Sequence, residues 1–320
     1  MLRIAVLDDY QRVALAYADW RRIQADHEVV VFDRNLATPD EAAEALADFD
    51  VICLMRERMA VPAALIERLP RLKLICVTGP HNRTLDLAAA AARGIVVSAT
   101  RNAATQHATA ELTWALILAA ARGLAQEAAT LRAGGWQETV GTTLHGRTLG
   151  VLGLGRIGAT VAGLGKAFGM PVIAWSPNLT AERAALEGVR LVGREALFAE
   201  SDVLSLHLVL SERTRALVGA DDLARMKPDS ILVNTARGPL IDEAALVAAL
   251  TARRIGMAGL DVFDLEPLLA DHPLRTLPNV VATPHLGYVT RETYAVFFPD
   301  TVENIEAFAA GAPVRRLDPA

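Results

Sequence analysis

Residues 150–176 read GVLGLGRIGATVAGLGKAFGMPVIAWS, and the reading of the whole chain grows from them. They open in the apolar run Thr148, Leu149, Gly150, Val151, Leu152, which has the length and composition of a buried strand. Gly153, Gly155 and Gly158 follow in the spacing GxGxxG, then an amphipathic stretch over 156–168, then the second apolar run PVIAW. Each glycine has its own physical task. Gly153 permits the tight turn, Gly155 lets the backbone approach a pyrophosphate, and Gly158 lets the helix pack against the strand. Amides at a helix N-terminus, at the positive end of its dipole, then face the phosphates. A GxGxxG alone is weak evidence. Placed between a strand and a helix, with a second strand following, it points to a bound dinucleotide.

Such a unit is expected to end its second strand in an acidic residue that holds the adenosine ribose. Here that position is Ser176. Without a carboxylate the repulsion against a 2′-phosphate is gone, yet no Arg follows at once to attract one. The nearest is Arg183, a turn into the next helix. The cofactor read from these residues is therefore NAD or NADP, with both open.

Working outward, strands and helices alternate along the chain. LRIAVLDD, EVVVF, VICLM and LKLICVTG read as strands, with PDEAAEALADF and PAALIERLP as helices between them, and this series ends near Ile95 to Ser98. A second series continues from the dinucleotide unit through VRLV, DVLSLHL, SILVNTA, MAGLDV and NVVATPH, and 291–310 reads as one helix with an irregularity at Pro299. Short apolar strands separated by helices imply an α/β fold of two doubly wound parallel-sheet domains. Between the series, 103–123 is apolar around most of its circumference, which predicts burial between domains or in a subunit interface.

Composition narrows the function classes. The 320 residues are 52% hydrophobic and 22% charged with a net charge of −5, which is globular and carries no basic run for nucleic acid. The most apolar stretch, 112–121, falls short of the roughly 20 residues a membrane span needs. The start, MLRIAVLDDY, reads as a first strand and not a signal peptide. Cys53 and Cys76, inside apolar runs, are expected as buried free thiols in a reducing, cytoplasmic compartment, and no zinc spacing or other metal site is present.

Three polar residues follow strands of the second series, where open α/β sheets bind ligands: Arg237 after SILVNTA, Glu266 after MAGLDVFDL, and His285 after NVVATP. Each is unremarkable alone, since a strand-end Arg is usually a surface charge and a His after Pro is usually structural. Together they form a chemical set. An Arg fork grips a carboxylate and polarises a neighbouring carbonyl. A His moves a proton near neutral pH, and a Glu beside it favours the imidazolium.

These residues and their surroundings resemble the D-isomer-specific 2-hydroxyacid dehydrogenases over almost the whole chain. LGVLGLGRIG is similar to the family's cofactor turn, NTARGPLIDEAAL to its Arg motif, GLDVFDLEP to its Glu motif and TPHLG to its His motif. LHLVLSERTR resembles the LHxPLTxxT segment, with Val209 in place of Pro. The resemblance implies a Rossmann cofactor domain over 101–289 inserted in a flavodoxin-like substrate domain of 1–100 plus 290–320. It implies hydride transfer between NAD(P)(H) and a small D-2-hydroxy or 2-oxo acid, with Arg237 on the carboxylate, His285 as general acid/base and Glu266 tuning it. It places Arg156 and Ile157 amides on the pyrophosphate, His207, Thr235 and Ala236 along the cofactor, and Asp261 near the nicotinamide carboxamide.

LICVTGPHNRTLDLAAA resembles the family's carboxylate-binding loop, with Val77, Thr78 and Gly79 offering amides. Pro80, His81 and Arg83 depart from its usual GxDNID. Arg56 is a candidate for the same substrate group, with a solvated strand-end charge as its plainer reading. Glu266 argues against a formate dehydrogenase, in which this position is Gln. A cofactor-sensing corepressor on the same fold is the alternative function. Fold analogy also implies a homodimer through 103–123. The chain ends soon after the second series, which weighs against serine-pathway duty.

Overall fold

Apolar β-branched runs pair where the sequence places them, and among the described residues every pairing between named strands is parallel. The computed structural model describes residues 1–103 and 105–319. The chain forms two compact units, Met1–Ala104 with Thr290–Ala320, and Thr105–Val289.

The first unit carries β1 (Arg3–Val6), β2 (Glu28–Val31), β3 (Val51–Leu54), β4 (Leu74–Val77) and β5 (Val96–Ala99), in the order β2-β1-β3-β4-β5. This is the flavodoxin-like order, with its switch point between β1 and β3. β3 and β4 are buried along their whole length, as strands covered on both faces must be. Cys53 and Cys76 are neighbours in this pairing, both buried and free. Helices start where the sequence supplies caps: Thr38 accepts from the Glu41 amide, and Asp86 from Ala89. PAALIERLP yields only the short helix Ala63–Ile66, its start set by Pro62. The final helix, Arg291–Ala309, continues through Pro299 and is tied down beside it. Asp300, almost fully buried, accepts from the Arg101 amide at 2.8 Å and from its guanidinium at 2.6 Å. Beyond the helix the chain returns to the sheet edge, where the Leu317 amide donates to Val97.

The second unit carries β6 (Leu149–Leu152), β7 (Val172–Trp175), β8 (Arg190–Leu191), β9 (Val203–Leu206), β10 (Ile231–Asn234), β11 (Met257–Leu260) and β12 (Val280–Ala282). Their order is β12-β11-β10-β9-β6-β7-β8. Counted from β6, this is the Rossmann order 3-2-1-4-5-6 with one further strand, and its switch point lies between β6 and β9. Two apolar clusters cover the sheet. One joins the strands to the helices Thr105–Arg122 and Arg156–Ala167, and the other to the helices on the opposite face.

The helix Thr105–Arg122 corrects one expectation. Its buried residues, among them Thr113, Trp114, Leu116 and Ile117, lie against the second unit's own sheet and the helix Arg156–Ala167. Small residues on that neighbour explain the close approach: an added Cβ at Gly165 would come within 3.5 Å of the Trp114 ring. Position 104 lies outside the described residues. Among the described residues no single helix is long and apolar enough to cross a membrane.

The dinucleotide turn depends on backbone contact. Gly153 has φ +103°, which side chains rarely adopt, and a Cβ there would also press on the His207 carbonyl carbon at 2.8 Å. A Cβ on Gly158 would fall 2.1 Å from the Gly153 carbonyl oxygen. Gly158→Ala must therefore push helix from strand. The expected cost is about 1–3 kcal/mol, read as a Tm lower by about 3–8 °C, together with weakened NAD(P)H binding. A variant with wild-type Tm and cofactor affinity would show that the contact is not limiting.

Candidate active site

The glycine-rich turn leads into a helix whose N-cap carries no capping side chain. Gly155, as N-cap of the helix Arg156–Ala167, places no side chain over the first amides, and a Cβ at this position would meet nothing within 4 Å. The open first turn, with Arg156 and Ile157 leading it, is thus a cradle of helix-end N–H groups shaped for an anion. These residues fit a dinucleotide pyrophosphate. Ser176 directly follows β7, and its carbonyl accepts from the Leu179 amide at 3.2 Å, closing a tight turn with Pro177 and Asn178 at its tip.

His207 follows β9 at the switch point, where its amide donates to Leu152 at 2.8 Å. Its Nε2 lies 2.9 Å from the Ser205 hydroxyl. Burial pushes the imidazole down to about 3, so the ring is neutral at physiological pH.

Three strand-end loops bring together Arg237, Glu266 and His285. Asn234 shapes the first: its side chain accepts from the Ala236 amide at 3.0 Å and donates to the Arg237 carbonyl at 2.9 Å. The Arg237 guanidinium donates to the Ala236 carbonyl at 2.7 Å. Gly238 then packs directly on the second loop, since a Cβ there would fall 2.1 Å from the Phe263 carbonyl carbon. In that loop the Phe263 amide donates to Glu266 Oε1 at 2.9 Å. Glu266 Oε2 meets His285 Nδ1 at 2.5 Å. Burial pushes the Glu266 carboxyl up, but the His285 hydrogen bond and charge, the Phe263 amide and the Arg237 charge outweigh it, and the net shift is downward. Glu266 is therefore an anion, His285 carries a proton on Nδ1, and Nε2 is the nitrogen left for chemistry.

His285 is held in a left-handed backbone conformation, φ +54°, unusual for a residue with a side chain. Asp261 supports it. Fully buried, Asp261 accepts from the Thr283 hydroxyl at 2.6 Å, the Leu286 amide at 2.7 Å and the Gly287 amide at 2.8 Å. Its carboxylate thus braces the His285 loop. Burial pushes its carboxyl upward.

The first unit contains the other substrate candidates. Arg56 donates to the Thr78 carbonyl at 3.0 Å and lies against Gly79, where a Cβ would fall 1.7 Å from the guanidinium. The expected open cradle of Thr78 and Gly79 amides is corrected. The Thr78 amide continues the sheet ladder to Leu54 at 3.2 Å, and the Gly79 amide donates to the Thr100 hydroxyl at 2.7 Å. Val77 is buried at the end of β4.

Residues missed in the sequence also surround the site. Tyr288 stands edge-on to His285 with ring centroids 5.7 Å apart. Thr113 meets Thr235 across 2.7 Å. The Tyr three places after the His was a usable signal, whereas the threonine sat unmarked in an apolar helix.

The comparisons with known proteins agree with this arrangement. Residues 114–287 match the family described as D-isomer specific 2-hydroxyacid dehydrogenase, NAD binding domain. A glyoxylate reductase of Aeropyrum pernix is 40% identical over 296 residues, 89% of this chain and 88% of its own. A D-3-phosphoglycerate dehydrogenase of Methanocaldococcus jannaschii is 40% identical over 277 residues, 86% of this chain and 52% of its own, so this chain spans about half the length of that relative. A crystal structure described as a putative D-3-phosphoglycerate dehydrogenase from Ralstonia solanacearum superposes with TM-score 0.91 at 40% identity, covering 100% of this chain and 97% of that one. The family model and these relatives support an oxidoreductase that uses NAD(P) on small 2-hydroxy or 2-oxo acids. The chain belongs to the D-isomer specific 2-hydroxyacid dehydrogenase family.

The desolvation that keeps His207 neutral has a consequence in acid. The unfolded chain binds a proton on this ring below about pH 6.5, while the folded protein resists it down to about 3. Stability must therefore fall as pH drops through this window. His207→Gln is expected to lose less Tm than wild type between pH 7.5 and 4.5 in a thermal melt series. Parallel curves would contradict the desolvated neutral ring.

Proposed function

We propose that the chain reduces small, glyoxylate- or hydroxypyruvate-like 2-oxo acids to D-2-hydroxy acids, and catalyses the reverse oxidation. The observation that carries this reading is the 2.5 Å contact between His285 Nδ1 and Glu266 Oε2, on loops packed against that of Arg237. The 40% identity to a glyoxylate reductase of similar length supports the substrate range.

The bound nicotinamide supplies the hydride. Arg237 binds the substrate carboxylate and polarises the 2-oxo group with its fork of donors. His285 holds a proton on Nε2 and gives it to the substrate oxygen as negative charge develops there. Glu266 stabilises the imidazolium before that transfer and keeps Nδ1 protonated after it. In oxidation the same Nε2 accepts the hydroxyl proton. In the first unit, Arg56 is the proposed contact for an anionic substrate group, supported by its place over Gly79 at the end of β4. Val77 and the Thr78–Gly79 backbone form the wall beneath it. Along the cofactor, Gly153, Gly155, Arg156, Ile157 and Gly158 take the pyrophosphate, and Ser176 faces the adenosine ribose. His207, Thr235, Ala236 and Asp261 line or support the nicotinamide half.

The direct test is a panel of initial rates with glyoxylate, hydroxypyruvate and larger 2-oxo acids, each with NADH and with NADPH, for wild type and His285→Ala. Wild type is expected to turn over the small acids. His285→Ala is expected to lose about 10²- to 10⁴-fold in kcat with NAD(P)H affinity close to wild type. An undiminished kcat in the variant would remove the mechanism, and no turnover by wild type would remove the function.

We also propose a homodimer, with its contact moved from 103–123 to the segment after it. The helix Leu124–Arg132 and the irregular stretch that follows expose Leu131 (61%), Trp136 (75%) and Val140 (100%). Exposed large apolar side chains grouped in one segment mark a binding face, and symmetric pairing is its common use. Analytical ultracentrifugation should give a dimer for wild type and a monomer for Trp136→Glu. A wild-type monomer at micromolar concentration would refute the assembly.

A further inference from the structure

The loops of Arg237 and His285 come from different strands, so their spacing must be set by something that touches both. The helix Thr105–Arg122 does so through two threonines one turn apart. Thr109 Oγ1 donates to the Gly287 carbonyl at 3.0 Å, two residues beyond His285. Thr113 Oγ1 lies 2.7 Å from Thr235 Oγ1, two residues before Arg237. Positions i and i+4 share a helix face, so both hydroxyls point the same way along the sheet's ligand edge. We propose that Thr109 and Thr113 are positioning residues that fix the distance between the Arg237 loop and the His285 loop.

Proton counting sharpens the assignment. Thr113 Oγ1 donates its single hydrogen to the Thr109 carbonyl at 2.8 Å. It must therefore accept from Thr235, which leaves the Thr235 oxygen with only lone pairs for a neighbour. The two hydroxyls thus do more than fill space: one orients Thr235, the other anchors Gly287. Gly287 is gripped from the opposite side as well, since its amide donates to Asp261 at 2.8 Å and a Cβ on it would stand 3.4 Å from Thr109 Oγ1. Thr109 and Thr113 are 9% and 0% exposed, so water does not substitute for these bonds. A Thr-to-Val change keeps the shape and leaves the Gly287 carbonyl or the Thr235 hydroxyl short of a partner, so the loop shifts to find one. Displacements of about 1 Å between reacting groups cost on the order of 10²-fold in rate.

This inference rests on the reading of Arg237 and His285 as the reacting pair, and the test separates the two. Thr109 and Thr113 are each changed to Val and to Ser, with kcat, KM, cofactor Kd, Tm and amide hydrogen exchange measured. Thr109→Val is expected to lower kcat about 10-fold or more while KM for the cofactor stays near wild type, and to speed exchange at Leu286 and Gly287 in the cofactor-free protein. Thr113→Val is expected to raise cofactor Kd and lower kcat together through Thr235. Both Ser variants should recover most of the loss, because the hydroxyl is what matters. If either Val variant folds and matches wild type in all readouts, or if Ser loses as much as Val, the inference is overturned. Should the Val variants not fold, a Ser variant well below wild-type kcat at unchanged Tm would overturn it alone. Failure of the underlying reading appears elsewhere, as an active His285→Ala enzyme.

Discussion

The short contact between a half-buried carboxylate and an imidazole, Glu266 to His285, is the constraint around which the second unit is organised. A carboxylate taken from water must be paired, and here the pairing has a directional consequence. Nδ1 faces Glu266, so only Nε2 can serve a reacting oxygen. The Phe263 amide on Oε1 keeps Glu266 from turning away, and Asp261 holds the loop that presents His285 in its left-handed conformation. Gly238 completes the set by letting the Arg237 loop lie on the backbone of the Glu266 loop. A guanidinium, an imidazole and a fixed anion are thus set close together by three strand ends and one glycine contact.

The same sheet edge carries the glycine-rich turn and the loops of Arg237, Glu266 and His285. Strand order reverses between β6 and β9, and the crevice this leaves is where the Gly-rich turn and His207 meet. Burial keeps His207 neutral, so this position contributes a hydrogen-bonding ring and no charge. Beneath the crevice the helix Thr105–Arg122 is both core and ruler: Trp114, Leu116 and Ile117 hold it to the sheet, while Thr109 and Thr113 on its upper face reach the loops.

Much of this was legible in the sequence, for physical reasons. GxGxxG between two strands has few other uses, and Arg237, Glu266 and His285 each follow an apolar run, so their place at strand ends could be read directly. Short apolar strands separated by helices foretold parallel sheets. What escaped was long-range. The helix at 103–123 looked like an interface because its apolar residues encircle it, but a large sheet and a small-residue helix can bury such a surface within one unit. Its two threonines carried no local signal, since hydroxyls acquire meaning only from the loops they meet. The Thr78 and Gly79 amides looked free because their acceptors, Leu54 and the Thr100 hydroxyl, lie more than twenty residues away.

The central claim is that Glu266 and His285 act as one proton-handling unit. A double-mutant cycle on single-turnover NAD(P)H oxidation, with Glu266→Gln, His285→Ala and the combined variant, tests it most directly. The account predicts that the double variant is no slower than His285→Ala alone, because Glu266 acts only through the imidazole. Losses that multiply across the two sites would show that Glu266 and His285 work independently, and would contradict the account.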